Sequence, residues 1–212
     1  MDLPDFSAFD EDEPHSFYLG APEDTDFDEQ SDATLVAEGV RLVVHSQILS
    51  QNSRVLRAMF AEKQLASSPI LDCMFEGYSL RSVCALLRFF YWPEEASTRN
   101  FSQLEPSTTL PEVARLAHML DAPALLGKLE RFLAATLTSS SLEAAVAWTQ
   151  LAERCHLHKL QLQCIHELAR KLAAKGLSRE SLLAVLAACV AAARGQQEWV
   201  PSEEELKAAG AV

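Results

Sequence analysis

The chain has 212 residues, 49% of them apolar and 23% charged, which is enough for one large or two small folded domains. Its net charge of −12 is confined to one end: residues 1–32 hold twelve Asp and Glu and no Lys or Arg, while residues 33–212 carry 18 acidic against 18 basic side chains. That distribution offers no basic stripe for nucleic acid, and the longest apolar run, 12 residues over 182–193, is too short to span a bilayer, so neither nucleic acid nor membrane is expected as a partner.

The first residues carry no basic segment followed by an apolar one, so secretion is not signalled. Five cysteines (Cys73, Cys84, Cys155, Cys164, Cys189) are an odd number without clustered spacing, and most fall on apolar helix faces. Free thiols in a reducing compartment are expected, which places the protein in the cytoplasm, the nucleus or both.

Residues 1–31 interleave Phe6, Phe9, Phe17, Tyr18 and Phe27 with acidic runs at 10–13 and 26–29. Neither a helical nor a strand period runs through them, and their apolar area is too small to offset the ordering entropy. A disordered acidic tail is expected here. The same composition also suits a segment whose aromatics dock on a partner while its carboxylates steer the approach.

Residues 34–37 and 40–44 are apolar and β-branched, and Glu38-Gly39 between them predicts a hairpin. Ser46 is the expected N-cap of two short helices that carry Ile48, Leu49, Val55, Leu56, Met59 and Phe60 and break near Gln51-Asn52-Ser53. Pro69-Ile70-Leu71 follows as a third strand after a polar loop. Ser79 caps an amphipathic helix with Val83, Leu86, Leu87 and Phe90 on one face, and Pro93 stops it. Residues 94–109 are polar and turn-rich and are expected as a long surface loop. Two more helices follow, one with Val113, Leu116, Ala117 and Leu120, the other with Leu125, Leu129, Phe132 and Leu133 after the break at Asp121-Ala122-Pro123. The sum is an α+β unit over 32–136, a small sheet capped by helices.

Several of these segments resemble the BTB/POZ domain. Asp32-Ala33-Thr34-Leu35, Gly39, His45-Ser46-Gln47-Ile48-Leu49, Ser53 and Arg57-Ala58-Met59-Phe60 are similar to its opening pattern. Leu86-Leu87-Arg88-Phe89-Phe90-Tyr91 is similar to a later helix, and residues 110–133 to its closing helix pair. The resemblance implies a small sheet wrapped by helical hairpins and a protein-interaction module, often dimeric, with many members acting as substrate adaptors of cullin-3 ubiquitin ligases. It makes Asp32, Leu35, His45, Leu49 and Phe60 structural signature residues. It places partner contacts at Met59, Phe60, the following loop with Leu65, and Tyr91. A homodimer and a cullin-3 scaffold are the protein partners it suggests.

Beyond 136 the pattern is all helical. Ser140 with Glu143 reads as a capping box for a helix with Leu142, Val146, Leu151 and Ala152 inward. A turn near His156-Leu157-His158 leads to a stripe of Leu160, Cys164, Leu168 and Leu172. Gly176 is the expected C-cap, and Ser178 starts a helix with Leu182, Val185, Leu186 and Cys189 inward. Residues 152–160 resemble the BACK-like helices that follow many BTB domains, and 117–125 carry the same pattern, as stacked helix pairs would. The expected organisation is an acidic tail (1–31), a BTB/POZ-like domain (32–136), a BACK-like extension (139–194) and a C-terminal tail with a short helix (195–212).

Cys155, His156, His158 and Cys164 lie within ten residues of one another, but Cys164 falls mid-stripe among leucines and no zinc knuckle spacing is present. Trp148 and Trp199 are expected as packing anchors. No phosphate loop, nucleophile elbow or metalloprotease motif occurs, so no catalytic, cofactor-binding or metal residue is assigned. The expected function is a non-enzymatic adaptor; the alternative is a scaffold or transcriptional co-regulator that works through the acidic-aromatic tail without cullin binding.

Overall fold

The sheet grows from a hairpin whose turn is written in two residues. Strands β2 (Ala33–Ala37) and β3 (Val40–Val44) pair antiparallel with Ala37 opposite Val40. Glu38 and Gly39 between them both have positive φ, 50° and 83°, the backbone of a two-residue hairpin turn that matches the twist of the strands. Alternate residues Ala33, Leu35, Ala37, Val40, Leu42 and Val44 are buried, giving one inward face. This computed structural model describes residues 14–16, 31–63, 70–71, 75–174 and 187. Two strands flank the hairpin, β1 (Pro14–Ser16) parallel to β3 and β4 (Ile70–Leu71) parallel to β2, so the order is β1-β3-β2-β4. Within the tail, of which only Pro14–Ser16 and Ser31 are described, Pro14–Ser16 adds a strand, because an open sheet edge supplies backbone partners that no side-chain periodicity announces.

Two units divide the chain, Met1–Gly127 and Lys128–Val212. In the first, α1 (Ser46–Asn52) and α2 (Arg54–Lys63) follow the hairpin, and α3 (Leu80–Tyr91) is its most enclosed helix. Residues 82–87 of α3 are all buried, so the helix meets neighbours around most of its girth, α1 and α5 (Thr109–Met119) among them. Ser79 caps it as expected, its hydroxyl accepting the Ser82 N–H.

The expected surface loop over 94–109 is partly ordered inward. A 3-10 turn (Pro93–Glu95) and a short helix α4 (Thr98–Phe101) occupy it, and Phe101 and Leu104 are buried at 1% and 4% exposure. The Phe101 ring stands edge-on to Phe89 at 5.0 Å. Arg88 and Glu95 form a two-pronged ion pair that closes the turn against α3. Two isolated apolar residues in a polar stretch were enough to anchor it, a signal too sparse for periodicity to register.

Helix α6 (Pro123–Thr136) runs across the division, and a 3-10 turn (Leu137–Ser139) ends it. In the second unit, α7 (Leu142–Arg154) and α8 (His158–Ala174) pack as a hairpin. Ala145, Val146, Trp148, Leu151 and Ala152 of α7 and the stripe Leu160, Cys164, Leu168 and Leu172 of α8 are buried. The N-cap of α7 is Ser141, which accepts the Ala144 N–H at 3.1 Å, whereas the expected cap Ser140 donates its hydroxyl to the Leu137 carbonyl. Ser140 is drawn back to the preceding turn, and the capping position moves on by one. The expected helix after Ser178, apart from the helical residue Ala187, lies outside the described residues, as do Gly176, Cys73, Cys189 and Trp199; within the described residues no helix is long and apolar enough to cross a membrane.

Candidate partner-binding site

The junction between β3 and α1 is held by side chains from three places in the chain. At the entry to β2, the Asp32 carboxylate accepts the Ser46 N–H at 2.7 Å and the Ser46 hydroxyl at 2.6 Å. Ser46, the expected cap, is therefore the first helical residue; His45 stands at the cap position without a side-chain bond to the helix. Asp32 does the capping from outside, and its negative charge suits the positive end of the helix.

His45 faces another partner. Its backbone N–H donates to the Tyr91 hydroxyl at 2.8 Å, its Nδ1 lies 2.9 Å from the same oxygen, and the two rings meet edge-on at 5.8 Å. Burial pushes the Tyr91 hydroxyl up to about 12; the bond from His45 opposes the shift and the nearby Asp32 charge adds to it. Tyr91 is thus a neutral phenol at physiological pH. Asp32 and His45 thus both hold the strand–helix junction. Asn52 completes the junction by donating to the carbonyls of Ile48 (3.0 Å) and Phe90 (3.1 Å), joining α1 to the end of α3. Sequence reasoning placed Asn52 only in a helix break, and a polar residue at such a break was its one signal.

Helix α2 carries the remaining described candidates. It starts on buried Ser53, whose hydroxyl accepts the Leu56 N–H at 3.0 Å and donates to the Leu120 carbonyl. Arg54 and Val55 donate their N–H groups to the carbonyls of Asp121 (3.3 Å) and Leu120 (3.4 Å). The orphan donors of this helix end are therefore met by the turn after α5. Further along, Phe60 is buried at 7% exposure, Met59 is half-buried, and Ala58 and Ala61 are exposed. Leu65 lies outside the described residues. Of the four partner candidates, the structure leaves Met59 partly accessible, turns Phe60 inward like Leu35 and Leu49, and ties Tyr91 into the junction.

A second polar cluster surrounds the start of α3 and went unnoticed in the sequence. An open groove of about 440 Å³ is lined by Val36, Glu38, Glu76, Tyr78, Ser79 and Glu112, with Gly39 and Gly77. Glu38 accepts the Leu80 N–H at 2.9 Å, and Glu112 accepts the Ser79 N–H (3.2 Å) and hydroxyl (2.6 Å). Burial works to raise the Glu112 carboxyl, but bonds from Ser79 and Ser82 and the Arg115 charge hold it below its usual range. Two carboxylates are thus engaged as helix caps.

Burial also pushes the Cys84 and Cys164 thiols up to about 12, the latter against a bond with Thr149, so neither is a thiolate at neutral pH. Cys155 is buried as well, and the His156 and His158 rings lie 6.2 Å apart. Among the described residues, no group of three or more His, Cys, Asp and Glu is placed to hold a metal ion.

Against this geometry, the sequence model of the BTB/POZ domain matches residues 24–137, more than half of the chain. The chain belongs to the BTB/POZ domain family. No curated protein matches it. The match takes in β2 to β4 and α1 to α6, the α+β arrangement described above. BTB/POZ domains are protein-interaction modules. In this one the signature side chains Asp32 and His45 brace a strand–helix junction, while Leu35, Leu49 and Phe60 lie in the core.

Proposed function

We propose that the chain is a non-enzymatic adaptor of cytoplasm or nucleus that docks a cullin-3-type scaffold through the end of α2 and the loop after it, with α7 and α8 as a BACK-like extension. The observation that supports this most is the half-buried Met59, flanked by exposed Ala58 and Ala61, on a helix whose start is pinned by Ser53 to the 120–121 turn. A contact there meets a surface already ordered, which lowers the entropic cost of binding. Leu65, in the adjoining segment, supplies an apolar side chain of the kind that fills a partner pocket.

Capture of the full chain by the amino-terminal region of cullin-3 tests the reading. Wild type is expected to be retained, with Leu65→Asp reducing recovery tenfold or more at unchanged melting temperature and Met59→Asp doing so in protein that remains folded. No retention of wild type ends it. Phe60→Ala is a poor probe of contact, because deleting a buried ring costs about 3–5 kcal/mol of stability.

A second reading, a scaffold or transcriptional co-regulator acting through the tail, is favoured by one departure. The loop reads Leu65-Ala66-Ser67 where the cullin-binding members of the family commonly carry a glutamate two residues after an apolar one. Replacing Phe6, Phe9, Phe17 and Phe27 by Ala in the full chain should then remove the main partner while cullin capture stays absent.

A further inference from the structure

The tail strand shows what the outer edge of the sheet accepts. With Ala37 and Val40 closing a two-residue turn, every second residue of β3 from Val40 bonds to β2, so Leu42 and Val44 face inward along the ladder. The backbone groups of Arg41 and Val43 are left for the other edge. There β1 lies parallel, with Pro14 opposite Arg41, His15 opposite Leu42 and Ser16 opposite Val43. This register directs the His15 N–H to the Arg41 carbonyl and the Val43 N–H to the His15 carbonyl.

Chain length does not force this pairing. The end of β1 and the start of β2 lie at the same end of β3, two strand spacings or about 10 Å apart. The sixteen residues 17–32 that join them could reach about 55 Å. A tether with that excess holds its strand at an effective concentration of about millimolar, so a weak strand suffices in cis and a longer one from elsewhere can replace it. Charge adds a preference. Four carboxylates at 10–13 immediately precede β1, and Arg41, opposite the strand's first residue, is exposed.

We propose that the outer edge of β3 is a binding site for an extended acidic segment of a partner protein, taken up as a parallel strand, and that residues 14–16 occupy it in the free protein. Recognition runs through the backbone of Arg41 and Val43, with Arg41 reading acidic residues ahead of the strand. The tail therefore competes with the partner for one edge and shields that edge until it is displaced. This surface is separate from the end of α2, so its failure leaves the adaptor reading standing.

Amide hydrogen exchange on the full chain tests it. In His15→Pro, which removes the strand's donor, the Val43 amide should exchange at least tenfold faster than in wild type, with Leu42 and Val44 unchanged and His15→Ala behaving as wild type. A peptide of residues 8–19, added at millimolar concentration, should shift the Arg41 and Val43 resonances of the His15→Pro protein, and wild type should need about tenfold more. The same peptide with residues 10–13 neutralised should bind several-fold more weakly. Equal exchange in wild type and His15→Pro, no shift with the peptide, or indifference to its carboxylates would overturn the proposal. So would a wild-type dimer, seen by light scattering, that His15→Pro dissociates, because the tail would then bridge two copies.

Discussion

The turn between α5 and α6 and the turn between α7 and α8 share one backbone. Leu120 and Cys155 donate to carbonyls four residues back, both at 2.9 Å, and Ala122 and Leu157 reach five back, to Ala117 and Ala152, both at 2.8 Å. Asp121 and His156 take φ of 46° and 52°, the left-handed residue that ends a helix in this motif. Their surroundings differ. The first turn receives α2: its carbonyls accept Ser53, Arg54 and Val55, and the Asp121 carboxylate pairs with Arg54 at 3.3 Å. In the second, Glu130 accepts the Leu160 N–H at 3.1 Å and so caps the helix that follows. Local sequence can repeat a turn, but what the turn holds depends on which helix is brought to it.

Paired substitutions can break this comparison. Leu120→Ala and Cys155→Ala remove equivalent buried side chains, and the first should cost about 2–5 kcal/mol against about 1 for the second, because leucine fills far more volume. Urea unfolding would measure both, and equal losses would mean that the two turns do not pack alike. Ser53→Ala should cost about 1–3 kcal/mol, since it uncaps α2 and deprives the Leu120 carbonyl of a donor. Glu130→Ala, the corresponding cap loss at the second turn, should cost about 1 kcal/mol or less.

Acid should weaken the second hairpin. Bonds from Arg170, outweighing some desolvation, and the Lys171 charge hold the Glu167 carboxyl down to about 2. A depressed folded-state value stabilises fully above the unfolded carboxyl value of about 4.3 and is lost as pH falls toward 2. The urea midpoint should therefore drop between pH 5 and 2.5, and Glu167→Gln should flatten part of that slope. The smallest effect belongs to the left-handed residues. His156→Gly should gain about 0.5–1 kcal/mol by relieving positive φ, while Asp121→Gly should be near neutral because it also removes the exposed Arg54 pair.

Hydrophobic spacing made most of the helices legible. Val83, Leu86, Leu87 and Phe90, then Leu116 and Leu120, then Leu160, Cys164, Leu168 and Leu172 all proved buried. Glu38-Gly39 announced the hairpin, and the echo between 117–125 and 152–160 became two copies of one turn. Less of the site was visible. Ser46 and Ser140 each looked like a cap and neither is one, because a competing acceptor stood nearby in space, the Asp32 carboxylate for the first and the Leu137 carbonyl for the second. Phe101 and Leu104 were lost in a polar loop for want of a period.

By itself, the amino-acid order determined where apolar faces recur, where backbones must turn and where charge accumulates, since each of these is set within a few residues of chain. Tertiary structure alone decided that Asp32 caps α1, that His45 meets Tyr91, that Ser53 leans on the end of α5 and that Pro14–Ser16 lies along β3. Backbone hydrogen-bond donors and acceptors are present on every residue but proline, which lacks the donor. Which of them meet is settled by distance in the folded chain, and composition carries no record of it.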